Sequence, residues 1–169
     1  MTDRDYQVVE FIDKLPCYSD TIQQMFYPSQ RVANRRLAFM YDYLYLRRVR
    51  HGANDKYFYF TKREPNFKTH LHYDVMARTY NWIVNNGYLV HSFDVQKQFG
   101  NLRPDLLMNI ERNGKKGVLA VEVELSNNNV SKKIEKYEHS ELRKLLLVSR
   151  SNFTSNKIDI IKLNLKELL

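Results

Sequence analysis

Apolar residues recur along the first part of this chain at helical spacing. Val8, Phe11, Ile12 and Leu15 make one stripe, which predicts a helix capped by Asp3 or Asp5 and running to about residue 14. Ser19-Asp20 reads as the cap of a short second helix through residue 24, which Tyr27-Pro28 closes because proline offers no backbone donor. Ser29 then caps a third helix over about 30–44, with Ala33, Leu37, Met40 and Leu44 as its core stripe. Arg31, Arg35, Ala38 and Asp42 fall on the opposite face, with Asn34 at its margin.

The period changes next. Residues 46–51 and 56–61 are strand-like runs separated by Gly52-Ala53-Asn54-Asp55, the composition of a hairpin turn. Segment 62–68 is polar and without period, which predicts a linker and a boundary between domains at 1–68 and 69–169. Beyond it, a helix over 71–85 stops at Asn85-Asn86-Gly87. Strands follow at 88–95, 105–111 and 118–125, then a helix at 131–140 behind the Asn127-Asn128-Asn129 loop, then strands at 145–148 and 158–163. That order predicts an α+β protein whose second part is a mixed sheet flanked by helices. The closing segment 163–169 is apolar enough to dock on the body or on a second copy.

Charge sharpens the first part. The 169 residues carry a formal charge of +8, which suggests a polyanionic partner. Within 31–68, ten basic side chains face only Asp42, Asp55 and Glu64. Three helices followed by a basic hairpin are the layout of a winged helix-turn-helix, in which the third helix enters the major groove and the wing touches the DNA backbone. On that reading Arg31, Asn34 and Arg35 face bases or phosphates. Arg47, Arg48 and Arg50 contact phosphates, and Lys56 continues the basic wing. The competing reading is an ordinary solvated helix face, or a winged helix used as a protein-protein module. Twelve tyrosines among the arginines suit nucleic acid better than lipid.

Composition excludes other classes. Cys17 is the only cysteine and reads as a small core residue, so disulfide frameworks and cysteine-rich zinc sites drop out. The His70-Leu71-His72 pair lacks the clustered cysteines or HExxH pattern of a zinc centre. No Walker A, GxGxxG or GxSxG motif is present. Without a membrane-length apolar run or a signal-like start, a cytoplasmic protein is expected.

Two short motifs carry chemistry in the second part. Arg103-Pro104-Asp105 opens one strand and Glu122-Val123-Glu124 ends the next, so antiparallel pairing would bring Asp105 near Glu122. Alternation puts Glu122 and Glu124 on one face. Convergent carboxylates need a compensating cation, and oxygen ligands of this kind suit Mg²⁺ or Mn²⁺. The plainer alternative is a solvated strand face with Asp105 capping a turn.

These residues resemble the PD-(D/E)xK nuclease superfamily. The larger pattern of winged helix, Arg-Pro-Asp, Glu122-x-Glu124 and Lys136-Tyr137, with His70 or His72 before the linking helix, is similar to the replication-relaxation family of bacterial plasmids, phages and integrative elements. That family is related to one class of conjugative relaxases. The resemblance implies Asp105 and Glu122 as metal-binding acids, and Asp105, Glu122, Glu124 and Lys136 as the catalytic set. It also implies duplex DNA as partner, with replication or conjugation proteins as further partners; the apolar closing segment adds a homodimer to the expectations. The family's lysine should fall at 124, where this chain has glutamate. Lys132, Lys133 or Lys136 could replace it, and Lys136 stands in the matching position. Tyr137 could act as a transesterification nucleophile, although a lone helical tyrosine reads first as core packing. Three functions follow as expectations: a DNA-binding protein of a mobile element, a Mg²⁺- or Mn²⁺-dependent nickase or relaxase, and a repressor whose degenerate nuclease domain dimerises. Glu124 tilts the expectation away from cleavage.

Overall fold

The computed structural model describes residues 1–53, 55–126, 130–151 and 154–169. The described residues form an α+β fold with five α-helices, a three-stranded sheet and a mixed five-stranded sheet. They form two compact units, Met1–Arg78 and Thr79–Leu169.

In the first unit, α1 (Asp3–Lys14) buries Val8, Phe11 and Ile12 as its periodicity requires. Its cap, however, is Thr2, which forms a capping box with Asp5. Asp5 sits one turn inside because its carboxylate is fully buried and has other work. It accepts from the Thr2 backbone at 2.7 Å and from Arg36 Nε at 3.0 Å, with a second bond from Arg36 Nη2. Tyr27 Oη donates to it at 3.3 Å. Burial alone would push the Asp5 carboxyl up, but the hydrogen bonds from Arg36 and Thr2 outweigh it and hold it well below the usual range.

The strand β1 (Cys17–Tyr18), too short to leave a sequence pattern, leads into α2 (Ser19–Phe26). Tyr18 occupies the cap position there without a side-chain bond, so Ser19 and Asp20 are not the cap. Asp20 turns to Lys56 and Arg78 instead, at 2.6 and 2.7 Å. The helix α3 (Gln30–Asp42) is capped by Ser29 and buries Ala33, Leu37 and Met40. It ends before Leu44, which takes a left-handed φ of 62° and is 86% exposed, so Leu44 leaves the core stripe. The strands β2 (Arg47–Val49) and β3 (Phe58–Phe60) pair antiparallel, and β1 pairs with the other edge of β3, giving the order β1-β3-β2. Asn54 of the expected turn lies outside the described residues.

Segment 62–68 runs into a 3-10 turn, Phe67–Thr69, and then α4 (His70–Asn85). The start of α4 is tied to its own unit by Asp74, which accepts from Tyr18 N at 2.9 Å, Thr21 Oγ1 at 2.7 Å and Arg78 Nε at 2.7 Å. Gly87 supplies the left-handed stop at φ 80°.

In the second unit, β4 (Leu89–Val95), β5 (Leu106–Arg112) and β6 (Lys115–Val123) form an antiparallel meander. The helix α5 (Val130–Glu138) then crosses to β7 (Lys144–Ser149), parallel to β6, and β8 (Asp159–Asn164) adds in parallel to β7. Ser131 falls inside α5, and the Asn127-Asn128-Asn129 loop lies outside the described residues. Val130, Ile134 and Tyr137 of α5 pack with Ala120, Leu145 and Leu147 of the sheet. Residues 119–123 of β6 are buried without alternation, as a central strand covered on both faces should be. Leu165 and Leu168 bury the closing segment on this body. Among the described residues, no helix is long and apolar enough to cross a membrane.

The Asp5–Arg36 pair yields a direct prediction. Arg36→Met should cost roughly 3 kcal/mol at neutral pH by urea denaturation, because it strands a buried carboxylate. A carboxyl with a lowered folded pKa stabilises fully above its unfolded value and loses that contribution as pH falls through the folded one. The difference between wild type and variant should therefore shrink below about pH 4.

Candidate functional site

Register builds the carboxylate site. Leu106 of β5 pairs with Val121 of β6, so the next step places Asp105 across from Glu122 at the same end of the two strands. Asp105 Oδ2 accepts from Val123 N at 2.8 Å, which fixes its carboxylate against β6. Both acids are buried, Asp105 at 9% exposure and Glu122 at 7%. Glu124 follows β6 immediately and accepts from Ser126 Oγ at 2.7 Å and Ser126 N at 3.1 Å.

The helix α5 supplies the partners. Lys133 Nζ lies 2.9 Å from Glu122 Oε2 and 3.4 Å from Glu124 Oε2. Tyr137 Oη donates to Glu122 Oε1 at 2.7 Å. Residues 133 and 137 stand one turn apart on one helix face, so both reach the same carboxylate. Lys136 is exposed, whereas Lys133 is half-buried against the two glutamates. Lys132 is exposed as well. The phase of α5, set by buried Val130, Ile134 and Tyr137, was the signal that separates them.

The electrostatics match this crowding. Burial and then the neighbouring Asp105 charge push the Glu122 carboxyl up, against the pull of Lys133 and Tyr137. Burial would lower the Lys133 ammonium, but Glu122, Asp105 and Glu124 hold it above its ordinary value. Burial also raises Glu124, yet the Ser126 and Lys133 bonds leave it below the usual range. Tyr137 is pushed far up by burial and by Glu122, which keeps its phenol protonated and donating. Lys133 and Tyr137 occupy the two Glu122 oxygens, and Asp105 Oδ2 is held by Val123 N, so the acids are tied to protein partners rather than gathered around one point.

A second set of residues lies in the first unit. Arg31, Asn34 and Arg35 are exposed on one side of α3, and Asn34 Oδ1 accepts from Gln30 Nε2 at 2.8 Å. Arg36, on the same helix, turns inward to Asp5. On β2, Arg47 is exposed, while Arg48 is half-buried between the rings of Tyr41 and Tyr57, at 4.1 and 4.3 Å. Arg50 lies 5.0 Å from the Tyr57 ring. Stacking holds these guanidiniums extended at little entropic cost, and Arg48 also donates to the Tyr59 side chain. Lys56 is exposed, and its ammonium is paired with Asp20 at 2.6 Å. Tyr43, Leu44 and Tyr45 are exposed beside this surface.

No known family matches the chain, and no curated protein matches it.

The crowded carboxylate is directly measurable. In a carboxyl-carbon NMR titration, Glu122 should titrate above the ordinary glutamate range, and Lys133→Met should move it further up. A midpoint at or below the ordinary value in wild type would contradict the arrangement.

Proposed function

We propose that this chain binds duplex DNA through its first unit, acting as a winged helix-turn-helix. The observation that carries the reading is the combination of topology and charge. Three helices are followed by a hairpin in the order β1-β3-β2, with Arg31 and Arg35 outward on α3 and Arg47, Arg48 and Arg50 on the adjoining strand and its end. Helix side chains of this length suit guanine edges in a major groove, and the wing arginines suit phosphate oxygens. Asn34 belongs to the same reading surface, whereas Lys56 is largely committed to Asp20.

The second unit supports a PD-(D/E)xK-like site. Asp105 and Glu122 at adjoining strand ends, with Lys133 bound to Glu122, supply the acid-acid-lysine set that the strand position 124 lacks. Asp105 and Glu122 would hold Mg²⁺ or Mn²⁺, which would polarise a phosphate and lower the pKa of a bound water. Lys133 would stand beside the reacting phosphate as a charge-stabilising group. This is the second reading, metal-dependent nicking, and Lys133 is the observation that favours it. On the resemblance to the replication-relaxation family, both activities would serve replication or conjugative transfer of a mobile element.

Two experiments separate the readings. Arg35→Ala should weaken binding to a selected duplex by ~1–3 kcal/mol in fluorescence anisotropy, with little loss on unrelated duplex, if it reads a base. In a supercoiled-plasmid assay with Mg²⁺ or Mn²⁺, nicking should be lost in Glu122→Ala and Lys133→Met and kept in Lys136→Ala. Nicking that survives Glu122→Ala, or none in wild type, sinks the cleavage reading and leaves DNA binding standing.

A further inference from the structure

The first unit contains a cluster that neither function uses. His51, just past β2, Glu64, in the segment before α4, and His70, the first residue of α4, bring one ligand atom each to within 4.8 Å of one another. We propose that these three side chains bind a first-row transition cation of the Zn²⁺ class.

The geometry has the size such an ion needs. Glu64 Oε1 lies 3.8 Å from His51 Nε2 and 3.6 Å from His70 Nε2. Both distances are too long for hydrogen bonds. Both are close to the edge of about 3.3 Å that ligands at ~2.0–2.1 Å make around a tetrahedral zinc. The ion would therefore draw these atoms slightly together rather than force them apart. The rings are already held in place: His70 stacks on Phe58 with centroids 3.9 Å apart and planes within 3°, and His51 packs on Phe67 at 4.0 Å.

His70 supplies an independent observation. Its side chain is 1% exposed, and its Nδ1 has no hydrogen-bond partner. Its Nε2 faces the Pro65 carbonyl oxygen at 3.0 Å. With its proton on Nε2, His70 donates to that oxygen and leaves only the buried Nδ1 lone pair without a partner, so a cation at Nε2 would replace this hydrogen bond. With the proton moved to Nδ1, the Nε2 lone pair would be free for the cation, with Glu64 Oε1 at 3.6 Å and the Pro65 oxygen at 3.0 Å as neighbouring donors.

Chemistry selects the ion. Two imidazoles and one carboxylate favour borderline metals over Mg²⁺ or Ca²⁺, which take oxygen sets. The donor set carries a single negative charge, so it binds a divalent cation as a net monovalent site. Placed there, the ion fastens the end of β2 to the residues that open α4 and stabilises the basic hairpin within its own unit. The site stands apart from the carboxylate cluster in residues and in metal preference.

The test uses the full chain carrying Glu122→Gln, which weakens the carboxylate cluster as a competing site, after stripping with a chelator. Titration with Co²⁺ should give one equivalent with the intense visible absorption of a four-coordinate N/O site, displaced by Zn²⁺. Zn²⁺, and not Mg²⁺, should raise the thermal unfolding midpoint. His51→Ala and Glu64→Gln, both at exposed or half-exposed positions where the fold is not at stake, should each weaken Co²⁺ binding at least about tenfold and abolish the rise. Absence of the visible band in the parent chain overturns the proposal, and so does a His51→Ala variant that binds Co²⁺ as tightly as the parent.

Discussion

The buried carboxylate of Asp5 is the constraint around which the first unit is arranged. A fully buried charge is tolerated only where donors surround it, and Asp5 draws those donors from three places: the Thr2 cap of α1, Tyr27 at the end of α2, and Arg36 of α3. The cluster locks three helices at one point and fixes the rotation of α3. With Arg36 turned inward, Arg31 and Arg35 must face solvent. The orientation of the proposed DNA-reading face is thus a consequence of a structural ion pair, and the same helix serves packing and recognition without conflict.

The second unit answers a similar problem differently. Strand register sets Asp105 beside Glu122 with little freedom to separate, and α5 provides one ammonium and one phenol in compensation. Asp5 ends fully satisfied and held low, whereas Glu122 stays raised despite its two partners. An acid left under electrostatic stress is the kind of group that functional sites collect, and a structural ion pair such as Asp5–Arg36 is built to avoid that stress.

Much of this was legible in the sequence wherever a period repeats. The Ala33, Leu37 and Met40 stripe follows from spacing, but Leu44 does not, because the helix had ended and period alone carries no stop signal. The two-residue strand β1 is too short for any pattern, although it completes the sheet that closes the first unit. Thr2 carries no distinct cap signal beside Asp3 and Asp5, which are themselves good cap residues. In the second unit, alternation and a short turn were enough to bring Asp105 to Glu122. Which of Lys132, Lys133 and Lys136 meets Glu122 depends on the phase of α5, which motif spacing does not carry. The His51, Glu64 and His70 cluster is non-local, assembled by the return of a hairpin, and no linear spacing announces it.

The central claim is that the first unit grips duplex DNA through arginines that the fold leaves outward. Salt dependence reads that grip most directly, since each neutralised phosphate contributes about −0.9 to the slope of log K against log salt concentration. The three arginines of the β2 strand and its end, with or without the two on α3, give a slope between about −2.7 and −4.5 for the full chain on duplex DNA. A slope between zero and about −1 would mean that these arginines do not meet phosphates, and the DNA-binding account would fall with it.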